Sequence, residues 1–168
     1  MKPILFPSKI LKTPSSIVTS IEDIAEFAKI LETSCKEVKG LGLAAPQVGL
    51  NVRIFAINLG LVYWQYGVLI NPEIFYMSLN RMAHTEGCLS VPMVTAKVKR
   101  SWEVGVRFLT LKGELIETYA TGLLATIIQH ETDHLDGILF LDRLDLVHRQ
   151  MLHTKLKRLT RTINKRRK

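Results

Sequence analysis

Apolar positions recur at helical spacing through Ile21, Ile24, Phe27, Ala28, Leu31, Cys35 and Val38, which predicts one amphipathic helix over about residues 20–38. Ser20 with Asp23 three residues on resembles a capping box, and Lys39-Gly40 supplies the stop. Upstream, prolines at 3, 7 and 14 read as an extended arm reaching Thr19. Downstream, the small-residue stretch Gly40 to Gly49 reads as a loop whose backbone can approach a ligand closely. Val52 to Asn58 and Val68 to Ile74 are rich in β-branched and aromatic residues and read as strands, with Asn71-Pro72 interrupting the second. Val98 to Thr110 and Leu115 to Tyr119 read as a hairpin turning at Lys112-Gly113. From Leu123 to Asp136 the pattern changes to a helix apolar on nearly every side, which belongs in an interior. Ile138-Leu139-Phe140 then leads to a last helix with an apolar stripe at Leu144, Val147, Met151, Leu152, Leu156 and Leu159. The expectation is a single α+β domain over residues 1–168, with antiparallel strands packed around the central helix. Within it, residues 1–142 form the core and 143–168 a basic C-terminal helix.

The interior helix carries the chemistry. His130 and His134 stand four residues apart, so both imidazoles leave one helical face a turn apart and can converge on one metal ion. Glu131 points away from that pair but stays close enough to serve a hydrolytic water. Such strings also arise by chance in helices, but polar residues at the end of so apolar a helix are costly to bury unless paired or coordinated. A metal-dependent hydrolase is the first reading.

Composition adds limits. At 168 residues, 47% hydrophobic and 23% charged, the chain is ordinary for a globular domain and long enough to enclose a core. It has no run of eighteen apolar residues and no basic-then-apolar leader, so no membrane span or secretory signal is expected, and a cytoplasmic location follows. Cys35 falls on the apolar face of the first helix and reads as a buried thiol; Cys88 reads as a loop residue between strands. The net charge of +8 lies entirely in the tail: residues 143–168 hold ten Lys/Arg against Asp145 alone, while the remainder sums to −1. That tail is either a solvated helix or a docking element for phosphate backbone or a ribosome surface.

A catalytic site of this kind needs a third protein ligand. Where metzincin proteases have a histidine stands Phe140, and no glutamate follows Glu131, which removes the thermolysin pattern. Cys88 is the strongest remaining donor, since a thiolate between strands can face a helix across a cleft. Gly40-Leu41-Gly42-Leu43-Ala44-Ala45-Pro46-Gln47, Glu86-Gly87-Cys88-Leu89-Ser90 and Gln129-His130-Glu131-Thr132-Asp133-His134, in that order, resemble the three motifs of peptide deformylases. The arm Ile4-Leu5-Phe6-Pro7, the strand order and the basic terminal helix match as well.

The resemblance implies removal of the N-formyl group from the initiator methionine of new peptides, with release of formate. It implies one divalent metal ion on Cys88, His130 and His134, Fe(II) with Zn, Ni or Co as replacements; the donor set itself suits both iron and zinc. It gives Glu131 the proton transfers, and Gln47 and the Leu89 N–H the stabilisation of the oxyanion. Backbone near Gly42 and Gly87 would pair with an added peptide strand. Leu41, His84, Leu123, Thr126, Ile127 and the His130 ring would line the methionine pocket. His84 and Thr126 are polar where many family members carry aliphatic residues, and Thr95 is uncharged where several bacterial members carry arginine. The implied partners are N-formylmethionyl nascent peptides and the ribosome near its exit, reached by the basic helix of a monomer.

Other singled-out residues have plainer expectations: Glu86 structural beside Arg100, Asp133 and Asp136 as hydrogen-bond partners, His148 and His153 on the surface, Trp64, Trp102 and Tyr119 as core or edge aromatics. Two rival readings use the same residues, a metallopeptidase and an RNA-binding protein with a structural metal. The first lacks its downstream ligands, and the second has no use for Gln47 with Glu131.

Overall fold

The computed structural model describes the backbone of residues 1–166 and the side chains of residues 1–161. Its elements are α1 (Ala25–Glu37), β1 (Gly42–Ala44), β2 (Ile54–Ile57), β3 (Val68–Met77), β4 (Arg81–Cys88), β5 (Val91–Ser101), β6 (Glu103–Leu109), β7 (Leu115–Thr121), α2 (Gly122–Leu135) and α3 (Leu146–Arg166). Five antiparallel strands form one sheet in the order β1-β2-β3-β6-β7, and β4 pairs with β5 in a separate two-stranded sheet.

The continuous apolar run Ile54-Phe55-Ala56-Ile57 shows how the layers form. Phe55 and Ile57 pack with Ala125, Ile128 and Leu135 of α2, while Ile54 and Ala56 pack with Ala28, Leu31 and Cys35 of α1. Side chains alternate along a strand, so a strand apolar at every position is covered on both faces. A third cluster joins β5, the 3-10 turn at Phe140–Arg143 and α3: Val91, Val94, Val98 and Phe140 meet Leu152, Leu156 and Leu159. Val147 and Met151 of the expected stripe stay exposed instead. Arg167 and Lys168, the end of the basic tail, lie outside the described residues.

Several boundaries differ from expectation. The segment 40–49 contains β1 and a 3-10 turn, Ala45–Val48, because Gly42 to Ala44 finds a partner in β2. The single strand expected over 98–110 is two strands in different sheets, parted at Trp102, whose N–H donates to Asn80 and whose carbonyl accepts from Gly122. The interruption expected at Asn71-Pro72 is present as a break in register within β3, which runs on to Met77 rather than Ile74. Asn71 adopts φ 50° there, and its amide side chain bonds both backbone groups of Val18. The first helix begins as a 3-10 turn over Glu22–Ile24, with Ser20 Oγ accepting the Asp23 N–H at 3.3 Å. Cys88 is not in a loop but closes β4. Among the described residues, no helix is long and apolar enough to cross a membrane.

Candidate active site

The separate hairpin carries the sulfur and α2 carries the imidazoles. A register shift between Gly87 and Cys88 ends the regular pairing of β4 with β5. Cys88 Sγ comes to rest 3.1 Å from His134 Nε2. Ligand atoms of Cys88, His130 and His134 all lie within 4.8 Å of one another. The rings of His130 and His134 are 5.0 Å apart at 79°, and Phe140 stacks on His130 from outside.

His130 is oriented by a chain of buried charges. Its Nδ1 meets Glu86 Oε2 at 2.8 Å, which turns Nε2 toward the site. Glu86 accepts from Arg100 Nε and Nη2 at 2.7 and 3.0 Å, and Arg100 Nη1 donates to Asp133 at 2.6 Å. Arg143, at the root of α3, donates twice to the same Asp133. Burial by itself raises the Glu86 carboxyl, but bonds from Arg100 and His130 and their charges overcome it and hold Glu86 at about 2. Burial likewise works against charge on His130, yet the Cys88 sulfur, Glu86 and Glu131 push it up to about 10. His134, fully enclosed, is driven well below the ordinary value by burial, with the His130 and Arg100 charges adding to the effect.

A divalent cation fits this donor set. One thiol and two imidazoles converge, and the buried Glu131 Oε2 beside them has no hydrogen-bond partner among the described residues. Burial pushes the Glu131 carboxyl up to about 7. Gly42 is what lets it sit there: a Cβ at residue 42 would fall 2.5 Å from Glu131 Oε1. Gln47 Oε1 accepts the Ala44 N–H at 2.8 Å, which aims its amide nitrogen at Cys88 Sγ (3.4 Å) and Ser90 Oγ (3.2 Å). Leu89 occupies the turn between β4 and β5.

These groups line a cavity of about 400 Å³ whose wall also includes Gly40, Leu41, Gly42, His84, Thr85, Gly87, Pro92, Leu123, Thr126 and Ile127. A wider groove of about 900 Å³ lies behind α2, lined by charges mostly paired with one another, such as Arg53 with Asp136 and Arg143 with Asp133. Among the described residues one cluster could hold a metal ion, and two of its three members, Cys88 and His130, line the smaller cavity.

The sequence pattern defining the polypeptide deformylase family matches residues 1–150. The chain belongs to the peptide deformylase family. It is 37% identical over 165 residues to the peptide deformylase of Acidobacterium capsulatum, covering 96% of both chains. The structure of the Arabidopsis thaliana peptide deformylase 1B has a TM-score of 0.90 with 30% identity, over 99% of this chain and 93% of that one. The Met-Ala-Ser-bound class I type b peptide deformylase of Acinetobacter baumannii gives 0.79 with 34% identity, over 86% and 98%. The chain is thus an enzyme that removes the N-formyl group from nascent peptides, and its family is metal-dependent.

Every residue expected from sequence to contact metal or substrate in this deformylase lies in or on the cavity, apart from His134, which sits beneath it against Cys88. Thr95 pairs with Gly87 across the hairpin and is not among the lining residues. The pairing of Glu86 with Arg100 is found, but Glu86 also grips His130, and this was missed. Ser90, Gly40, Thr85 and Pro92 were also missed. Ser90 lies within the second motif, where its fully buried hydroxyl meets the Gln47 amide.

Proposed function

We propose that Cys88, His130 and His134 of this deformylase hold Fe(II), that Glu131 moves the protons, and that Gln47 and Leu89 stabilise the oxyanion. The observation that carries the reading is the convergence of the three ligand atoms within 4.8 Å beside a buried, unpartnered Glu131 oxygen. When bound, the ion lowers the pKa of a water toward about 7 and polarises the formyl carbonyl. Glu131 Oε2 accepts a proton from the attacking water and returns it to the amine as formate leaves. The Gln47 amide and the Leu89 N–H donate to the carbonyl oxygen as charge grows there, and losing one such donor costs about 10²–10³ in rate.

The peptide is read as an added strand on the free edge of β1, with its backbone near Gly42 and Gly87. Its first side chain enters the cavity between Leu41, His84, Leu123, Thr126 and Ile127. That the Acinetobacter relative is bound to Met-Ala-Ser agrees with a methionyl peptide as the ligand class. Thiolate and imidazole donors accept Zn, Ni or Co as well, so anaerobic purification with metal quantitation identifies the ion. The test is formate release from formyl-Met-Ala-Ser: Glu131→Ala abolishes it with metal content retained, and wild-type turnover by that variant overturns the assignment.

The reading extends to a cytoplasmic monomer docked near the ribosomal exit. α3 turns Leu152, Leu156 and Leu159 inward and leaves Arg149, Lys155, Lys157 and Arg161 exposed. Deleting residues after Leu146 weakens ribosome co-sedimentation in a salt-dependent way; unchanged binding by a deletion whose melting shows it folded refutes the docking.

A further inference from the structure

The wall of the cavity holds two polar groups that hydrolysis does not use. From Arg81 to Gly87, β4 pairs residue for residue with β5 and without a bulge, so His84 leaves the same strand face as Glu86, the face that meets α2. Opposite it, Leu123, Thr126, Ile127 and His130 share one face of α2. Thr126 Oγ1 already donates to the Gly122 carbonyl at 3.1 Å, so only its lone pairs are left for the cavity. The His84 side chain makes no hydrogen bond or ion pair with any described residue. Either neutral tautomer of an imidazole carries one ring N–H, so this half-buried side chain brings to the cavity wall a donor that no described protein acceptor takes.

We propose that this pocket accepts the oxidised form of methionine, the sulfoxide, as well as the thioether, and that His84 is the specificity residue, its ring N–H donating to the sulfoxide oxygen. The inference rests on assigning the cavity to the first side chain of the peptide. Initiation supplies methionine, whose sulfur is the atom oxidants attack, so the sulfoxide is the acceptor-bearing variant such a pocket meets. A wall of Leu41, Leu123 and Ile127 alone would strip water from that oxygen and return no bond. The reaction is unaltered: water adds to the formyl carbon, the C–N bond breaks, the amine takes a proton and formate leaves, with the sulfur at the same oxidation level throughout.

The test compares kcat/KM for formate release from formyl-Met-Ala-Ser and from its sulfoxide, with metal-loaded enzyme. The unmodified enzyme prefers the thioether by less than about thirtyfold. His84→Leu raises that preference by about tenfold, through KM for the sulfoxide peptide, while His84→Gln, which keeps a donor, stays within about threefold of the unmodified ratio. Because each ratio is taken on one preparation, a variant that folds only in part still reports. A larger preference in the unmodified enzyme, or one ratio shared by all three proteins, overturns the proposal and leaves the deformylase assignment standing. Release of formate from neither peptide overturns both.

Discussion

Arg100→Met tests how the centre is held. The Arg100 side chain is 5% exposed and bonds both oxygens of Glu86 and one of Asp133. Methionine keeps the apolar stem and removes every N–H donor. Asp133 then retains Arg143, whereas Glu86 is left buried with His130 alone. Breaking a buried pair costs about 3–5 kcal/mol, and since one carboxylate stays paired the loss should fall near about 3 kcal/mol. With a urea slope of about 2 kcal/mol/M, the unfolding midpoint of metal-free protein drops by about 1.5 M. Affinity for the ion, read by competition with a chelator, falls about 10–100-fold as Glu86 loosens its grip on His130. Adding Glu86→Gln recovers most of the stability but not the affinity, because the stranded charge is gone while the ring stays unanchored. Acid behaviour follows with a definite sign. A carboxyl held at about 2 against an ordinary 4.5 contributes fully above pH 4.5, and the contribution is lost as the pH falls toward 2. Arg100→Met therefore moves acid unfolding to higher pH. A urea midpoint within about 0.3 M of the unmodified protein, with unchanged chelator competition, would refute the reasoning.

Gly42→Ala forces the Glu131 carboxylate aside and lowers formate release about 100-fold while bound metal stays stoichiometric; full activity in that variant would show that the carboxylate has room elsewhere. Burial, with Glu131 and Glu32 nearby, pushes the Cys35 thiol up to about 12, so iodoacetamide at pH 8 labels metal-free protein once, at Cys88, and restoring the ion blocks it. A second adduct on folded protein, seen by mass, would contradict that account. Leu156→Ala trims the contact between α3 and the Val94–Phe140 cluster and lowers Tm by about 2–4 °C for a loss of about 1 kcal/mol; an unmoved Tm means that α3 adds nothing to the fold.

Elements with a strong period were legible in the chain. The apolar run before His130 announces α2 because no surface helix is built that way, and Lys112-Gly113 announces the β6–β7 turn, where Gly113 takes φ 80°. The strand β1 was not legible, since Gly-Leu-Ala has no alternation of its own and becomes a strand only through β2. Fusing β5 with β6 has a similar origin. Ser101-Trp102-Glu103 contains no glycine, proline, asparagine or aspartate, and the break is imposed from outside by Asn80 and by Gly122, over which the Trp102 ring lies. Within the site, metal-ligand spacing on a helix is a one-dimensional signal and survived intact. The grip of Glu86 on His130 joins residues 44 apart in the chain, and only the packing of the hairpin against α2 creates it.

Under the strand addition proposed above, the brevity of β1 limits what such an enzyme reads. Three residues of open edge span about 10 Å, room to grip the backbone of two or three residues of a guest chain. Main-chain pairing is blind to side-chain identity, and whatever follows in the guest runs on past the ruler. So short a gauge suits a catalyst that must treat a whole proteome alike, because it inspects the first letter of each chain and leaves the rest of the text unread.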